Sequence, residues 1–209
     1  MDLPPGRWAR DLQPETPPSP EPKPYRLTAH LPHRLNPSQL RSRYVTPIDE
    51  ALSQQHLGKT AGGGTSRSIT GEIESVDLEI EIHDLTHGIP VLISTLERQG
   101  APKGSILHFQ DKTSLQEFPF GHIEGIGLYL DDLKLSGRVY QKYPLSDVID
   151  QLAESLAGHG ELQGHWRGDT QTALYFYGNH AEAMTSRLQQ IIPTHPRCQG
   201  ARIVRITPE

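Results

Sequence analysis

In the run 75–83 (SVDLEIEIH), Asp77, Glu79, Glu81 and His83 share one parity, while Val76, Leu78, Ile80 and Ile82 share the other. Successive side chains of an extended strand point to opposite faces, so the three carboxylates form one stripe, about 7 Å from one to the next. Such a stripe repels itself unless cations meet it, and it steers a basic partner toward the face that carries it. In 171–178 (QTALYFYG) the same alternation sends Leu174 and Phe176 inward and Tyr175 and Tyr177 outward. Tyr129, in 126–131 (IGLYLD), joins them on the outer side, and Trp166 borders the group. Tyrosines beside an acidic stripe describe a protein-binding surface, where amphipathic rings supply contact area and carboxylates supply attraction. The other reading of the rings, equally open from the sequence, is that they pack against another part of the chain or against residues 110–123.

Other chemistry finds less support. The stretch 57–67 (LGKTAGGGTSR) contains Gly-Lys-Thr, but a phosphate-binding loop needs a further glycine where Ser53 stands, after a strand and opening a helix. The residues upstream of it (47–57) read as a helix, so a loop here faces the negative end of the helix dipole, which repels phosphate. The expected role of Gly58 is to end that helix, and Gly62–Gly64 are expected to form a flexible connection. Of the eleven histidines, the pairs His30/His33, His83/His87 and His159/His165 lack a third metal ligand at a recognisable spacing. Arg197 and Arg202 near Cys198 would favour its thiolate, but a lone cysteine without a placed histidine is weak ground for a nucleophile. No catalytic, cofactor-binding or metal site is assigned.

As for the elements that must hold these residues, the chain from Tyr25 gives a strand (25–31), a helix (37–57), two strands (66–74, 76–83), a helix (88–100) and a strand (104–109). From Glu124 the order recurs: a strand (124–132), a helix (144–158), two strands (160–167, 171–178), a helix (180–192) and a strand (201–206). Ile48 and Leu52 fall against Val148 and Leu152, Gly58 against Gly158, Leu78 and Ile80 against Leu174 and Phe176, and Gly104 against Gly200. A near-constant offset across several elements is what an internal duplication leaves behind. Strand, helix, two strands, helix, strand is the split βαβ arrangement of ferredoxin-like domains. The expected fold is therefore α+β: two tandem ferredoxin-like repeats, 25–115 and 116–209, each an antiparallel sheet with helices on one face. The parity flip at Ser75 predicts a bulge or tight turn there. The glycines of 121–132 predict a close backbone approach or a bend between the halves.

Residues 1–24 hold eight of the 18 prolines and few aliphatic side chains, which predicts a disordered tail. No run approaches the length of a membrane span, and one cysteine suits a reducing compartment, so a cytoplasmic protein is expected. The net charge of −5 disfavours nucleic acid as partner and permits a basic protein. The aromatic, Gly-rich signature of RNA-recognition modules is absent from 76–82 and 172–178. The runs 100–109 (GAPKGSILHF), 120–131 (FGHIEGIGLYLD), 173–178 (ALYFYG) and 198–206 (CQGARIVRI) resemble small bacterial immunity proteins of interbacterial toxin systems. That resemblance implies a cytoplasmic antidote that binds a toxin, without a cofactor, and it assigns no residue roles. A ligand-sensing regulator similar to the ACT type, binding a small molecule between the repeats, and an enzyme with a dispersed site are the alternatives.

Overall fold

The computed structural model describes residues 23–111 and 114–209; the tail expected for 1–24 lies almost wholly outside them. The first sheet is built from β1 (Tyr25–Leu31), β2 (Gly58–Arg67), β3 (Ile73–Ile82), β4 (Ser105–Gln110) and β5 (Leu115–Phe120), in the order β2-β3-β1-β4-β5. The second comprises β6 (Glu124–Asp131), β7 (Gly160–Arg167), β8 (Gln171–Gly178) and β9 (Arg202–Arg205), in the order β7-β8-β6-β9. All the ladders within the two sheets are antiparallel. The molecule is mixed α+β, with two antiparallel sheets that each carry helices.

The alternation of β3 buries Val76, Leu78, Ile80 and Ile82, and this face packs beneath two helical segments. The first is α1 (Pro37–Leu40), a π-helical turn (Arg41–Val45) and α2 (Thr46–Ser53) in succession; it supplies Leu40, Tyr44, Ile48 and Leu52. A capping box between Asn36 and Gln39 starts it. The second is α3 (Leu85–Arg98), opened by Asp84, whose carboxylate accepts from the Thr86 and His87 N–H groups; it supplies Leu92 and Leu96. In the second half α5 (Leu145–Leu156) and α6 (Ala181–Ile191) cover Leu128, Leu174 and Phe176 in the same way. A short α4 (Gly137–Lys142), not foreseen from the sequence, leads into α5.

The two sheets match in register. Leu27 pairs with Ile80 as Ile126 pairs with Phe176, and a bulge interrupts β2 between Thr60 and Gly62 as another interrupts β7 between Leu162 and Gly164. A register shift also appears where β3 pairs Ser75 with Ser66 and Ile73 with Arg67, which accounts for the parity flip.

Three expectations change. The glycine-rich run is not a connection: it is β2, an edge strand paired along its length with β3, and its glycines carry no alternation by which a strand is recognised. Gly58 does not end the helix. The left-handed residue there is His56 (φ 54°), the counterpart of Gly158 (φ 77°), while Gly58 pairs with Ile82 as Gly160 pairs with Gly178. Finally, β5 belongs to the first sheet and sends Phe118 and Phe120 into the first core, so the chain leaves that sheet at 121–123 rather than at 115.

Gly58 is fixed by space: a Cβ there would lie 2.0 Å from the Glu81 carbonyl oxygen, whereas one on Gly64 would meet nothing within 4 Å. Gly58→Ala should cost about 2 kcal/mol or more in denaturant unfolding, by overpacking against backbone that cannot retreat without breaking the ladder. Gly64→Ala should leave stability within about 0.5 kcal/mol.

Candidate recognition surface and the interface beside it

The face of the first sheet opposite its helices is left uncovered by the described residues. Asp77, Glu79 and Glu81 occupy it, as their parity requires, and two of the three have side-chain partners across the strands. Glu81 lies between Lys59 on β2 and Arg26 on β1, and Arg26 approaches its carboxylate at 3.4 Å. Asp77 faces His30, whose Nδ1 is 2.8 Å from the carboxylate. Glu79 sits between Gly62 and Thr28, exposed, and no cation pairs with it among the described residues. The face continues across Thr28 and His108 to Glu117, 3.4 Å from the His108 ring. Local pairing thus relieves the repulsion along the stripe and leaves Glu79 as its free carboxylate.

The equivalent face of the second sheet is closed. Tyr129, Tyr175 and Tyr177 are 6%, 1% and 1% exposed and form a cluster with Ala173, with Trp166, Ile123, Val204 and Ile206 packed around it. The expectation of an exposed tyrosine patch is therefore corrected: the rings lie between the halves, and Trp166 is half-buried at their border. Glycine makes room for them, since a Cβ on Gly125 would lie 2.6 Å from the Tyr177 ring and one on Gly127 2.9 Å from the Tyr129 ring. What covers them is one end of the first half: the 32–35 loop after β1 and Glu72, just before β3.

The polar groups of that end find partners across the interface, except the Arg34 Nε, which is buried without one among the described residues. A single Glu72 carboxylate oxygen accepts from the Tyr129 hydroxyl at 2.6 Å, the Tyr175 hydroxyl at 2.7 Å and the Arg34 guanidinium. The Arg34 guanidinium also lies 5.1 Å from the centre of the Tyr175 ring, and the Arg34 N–H donates to the Tyr177 hydroxyl at 3.0 Å. His33, fully buried, packs against Tyr177 with ring centroids 4.3 Å apart and the rings inclined by 54°. Its Nε2 is 2.9 Å from the side-chain oxygen of Gln163, the extra residue of the β7 bulge, and its Nδ1 is 2.8 Å from the Tyr44 hydroxyl. Lys103 reaches Glu124 at 3.6 Å, beside Arg205 at 2.9 Å. None of Glu72, Arg34 or His33 was singled out from the sequence for this role.

Burial sets the protonation of this interface. It holds the His33 ring neutral, with its pKa lowered to about 3, and the nearby Arg43 charge acts in the same direction. Burial, with the hydrogen bond to Glu72, pushes the Tyr129 hydroxyl up to about 12. Cys198 is also buried, and burial raises its thiol to about 11 against the pull of Arg197, so the expected thiolate-favouring effect of the arginines is outweighed. Among the described residues no three His, Cys, Asp or Glu side chains gather in a metal-binding group, and no helix is long and apolar enough to cross a membrane.

Removing the shared acceptor by Glu72→Ala should cost roughly 3–5 kcal/mol, since it strands the Arg34 charge. Tyr175→Phe should cost about 2 kcal/mol, and the double variant less than the sum, because both changes break one network. Chemical denaturation of the three variants measures this. His33 is neutral in the fold and free to protonate when unfolded, so its contribution is complete above about pH 6.5 and is lost as pH falls toward 3. Tyr129 behaves in the opposite sense: its contribution is present below about pH 10 and lost as pH rises toward 12. Unfolding free energy against pH should therefore decline on both sides, and His33→Gln should flatten the acid limb.

No protein-family model matches the chain, and no curated protein matches it. Solved structures with some likeness include the complex of TiaS with an isoleucine tRNA, AMPCPP and agmatine (TM-score 0.32, 9% identity, covering 79% of this chain and 56% of that one). Others are the regulatory subunits of aspartate kinase from Thermus flavus (TM-score 0.26, 9% identity, 81% and 93% covered) and, ligand-free, from Thermus thermophilus (0.26, 10%, 79% and 92%). The chain spans just over half the length of the first of these. Likeness of this degree carries no argument about function, and the description of the fold rests on strand order and register.

Proposed function

We propose that the chain is two tandem ferredoxin-like units derived by duplication, and that it works as a non-enzymatic binding module, taking a basic protein partner on the uncovered face of its first sheet. The duplication is supported by the matched registers and the bulges at equivalent positions of β2 and β7. The observation that carries the binding assignment is the difference between two equivalent faces. Glu79 and Glu81 occupy the places of Tyr175 and Tyr177; the tyrosines are sealed against the other half, while the carboxylates face solvent with Glu79 unpaired among the described residues. A charged, open sheet face attracts a partner of opposite sign over a Debye length and sets the encounter rate more than the final affinity. The sequence resemblance gives this module its proposed setting: an immunity protein that neutralises a bacterial toxin with a basic domain.

A second reading has one observation in its favour. A cleft of about 340 Å³ opens between the halves, lined by Gly100 and Ile123 on one side and by His159, Glu161, Gln163 and Asn179 on the other. A ligand-sensing protein would hold its small molecule there, and a ligand bound only by the folded state would raise the melting temperature.

Affinity purification of the tagged chain from its host, with identification of what is retained, tests the reading. With that partner in hand, reversing Glu79 and Glu81 to lysine should slow association strongly at low salt and little at high salt. Equal association rates for the variant and the wild type at low salt would remove the stripe from the interface. A thermal shift with an amino acid or nucleotide, and no retained protein, would favour the cleft instead.

A further inference from the structure

The two edges of the first sheet differ. One, β5, carries Pro119, which cannot donate to an added strand. The other, β2, is ten residues long, contains no proline and has no charged side chain between Lys59 and Arg67. Sheet edges left long and undefended are templates for another strand. The register shows which groups are free. His83 N–H donates to the Leu57 carbonyl, so alternate residues of β2 turn their main-chain groups away from β3, and Thr60 is one of them: its N–H is taken by the Asp49 carboxylate at 2.7 Å. Beyond the bulge, Gly63 and Thr65 fall in the same outward class, and nothing outside the sheet bonds to them among the described residues.

Beside this edge runs a groove of about 260 Å³. Leu40, Val45 and Leu78 give it an apolar floor, Thr60, Gly62 and Gly63 form its sheet side, and Arg41 stands at its margin. Arg41 and Val45 bound the π-helical turn, closed by the Thr46 N–H donating to the Arg41 carbonyl, an irregularity often found at functional sites. Arg41 is exposed and meets no carboxylate among the described residues; neither does Lys59, whose neighbour Glu81 is paired with Arg26. Arg41 and Lys59 thus lack carboxylate partners among the described residues, and an apolar slot runs beside free main-chain donors and acceptors.

We infer that the outer edge of β2 binds an extended peptide segment of a partner as an added strand, with an apolar side chain in the groove and a carboxylate at Arg41. Main-chain hydrogen bonds at Gly63 and Thr65 supply the attachment, and the groove and Arg41 supply the choice of sequence. A second copy of the chain fits less well, because antiparallel pairing of two β2 strands about Gly63 sets Lys59 of each across from Arg67 of the other, cation against cation. The site is distinct from the acidic face, so it stands or falls separately from the proposed function.

The test uses the whole chain and a fluorescein-labelled peptide of about eight residues, blocked at both ends, alternating threonine with valine and glutamate so that valine and glutamate share the face turned to the groove and Arg41, together with a counterpart bearing lysine in place of glutamate. The glutamate peptide should bind in anisotropy titrations and slow amide hydrogen exchange at Gly63 and Thr65. Arg41→Glu should weaken it about fivefold to tenfold. Thr65→Pro should abolish binding while leaving the melting temperature near that of the wild type, since its N–H serves no bond within the sheet. Should Thr65→Pro fail to fold, exchange at the two amides and the Arg41 variant decide. The inference is overturned by absence of binding, by equal binding of the lysine peptide, by an unchanged affinity in Arg41→Glu, or by a dimer in sedimentation that Thr65→Pro dissociates, which would give the edge to a second copy.

Discussion

One carboxylate oxygen, on Glu72, holds the two halves of the molecule in their arrangement. It accepts from Arg34 on its own half and from the hydroxyls of Tyr129 and Tyr175 on the other. A buried carboxylate is expensive unless charge and hydrogen bonds compensate it, and here one cation and two neutral donors do so together. The tyrosines gain in turn, because a phenol buried on an apolar sheet face needs an acceptor. The constraint is mutual: a shift that frees Glu72 strands two hydroxyls and a guanidinium in a dry space. His33, between Tyr44 and Gln163 and with its ring tilted against that of Tyr177, repeats the logic with a neutral ring. The apolar contacts of the interface supply area, and these polar pairs supply its register.

From that arrangement follows the different chemistry of two equivalent faces. Position by position, His30, Glu79 and Glu81 of the first sheet correspond to Tyr129, Tyr175 and Tyr177 of the second. The strand pairing around these positions is the same, and the residues differ because one face is wet and the other dry. On the wet face ionised groups are hydrated and partly paired across strands; on the dry face the same positions must offer large apolar area with one polar atom each, which tyrosine does.

Alternation and helical spacing made most of the elements legible in the sequence, because each has an apolar face that must be buried. The strands β3, β6 and β8 and the helices α3, α5 and α6 were readable on that ground, and the parity of Asp77, Glu79, Glu81, Tyr175 and Tyr177 was readable with them. Elements without such a pattern were not. β2 lacks side chains to alternate, β5 mixes Pro119 with charge, and the left-handed turn after α2 uses His56, where no glycine marks it. Covering of the tyrosine face was illegible for a different reason. Glu72 is 57 residues from Tyr129 and 103 from Tyr175, and no local rule links a glutamate before one strand to rings on two others. Parity assigns a face to each residue and leaves open whether that face meets water.

The manner of docking decides what surface remains. Two such sheets could have joined face to face, each burying the side opposite its helices, and then the carboxylates would have been forced into a dry interface at heavy desolvation cost. Instead the first half docks by one end, through the 32–35 loop and Glu72, both at the Leu31 and Ile73 ends of adjacent strands. End-on docking covers the tyrosines with few residues and takes nothing from the first sheet's open face or from the outer edge of β2. The acidic stripe is tolerable where it lies because that face stays in water, and the edge is available because neither the second half nor a proline closes it. Both proposed contact surfaces therefore depend on the same choice, a small polar end buried in place of a large charged face.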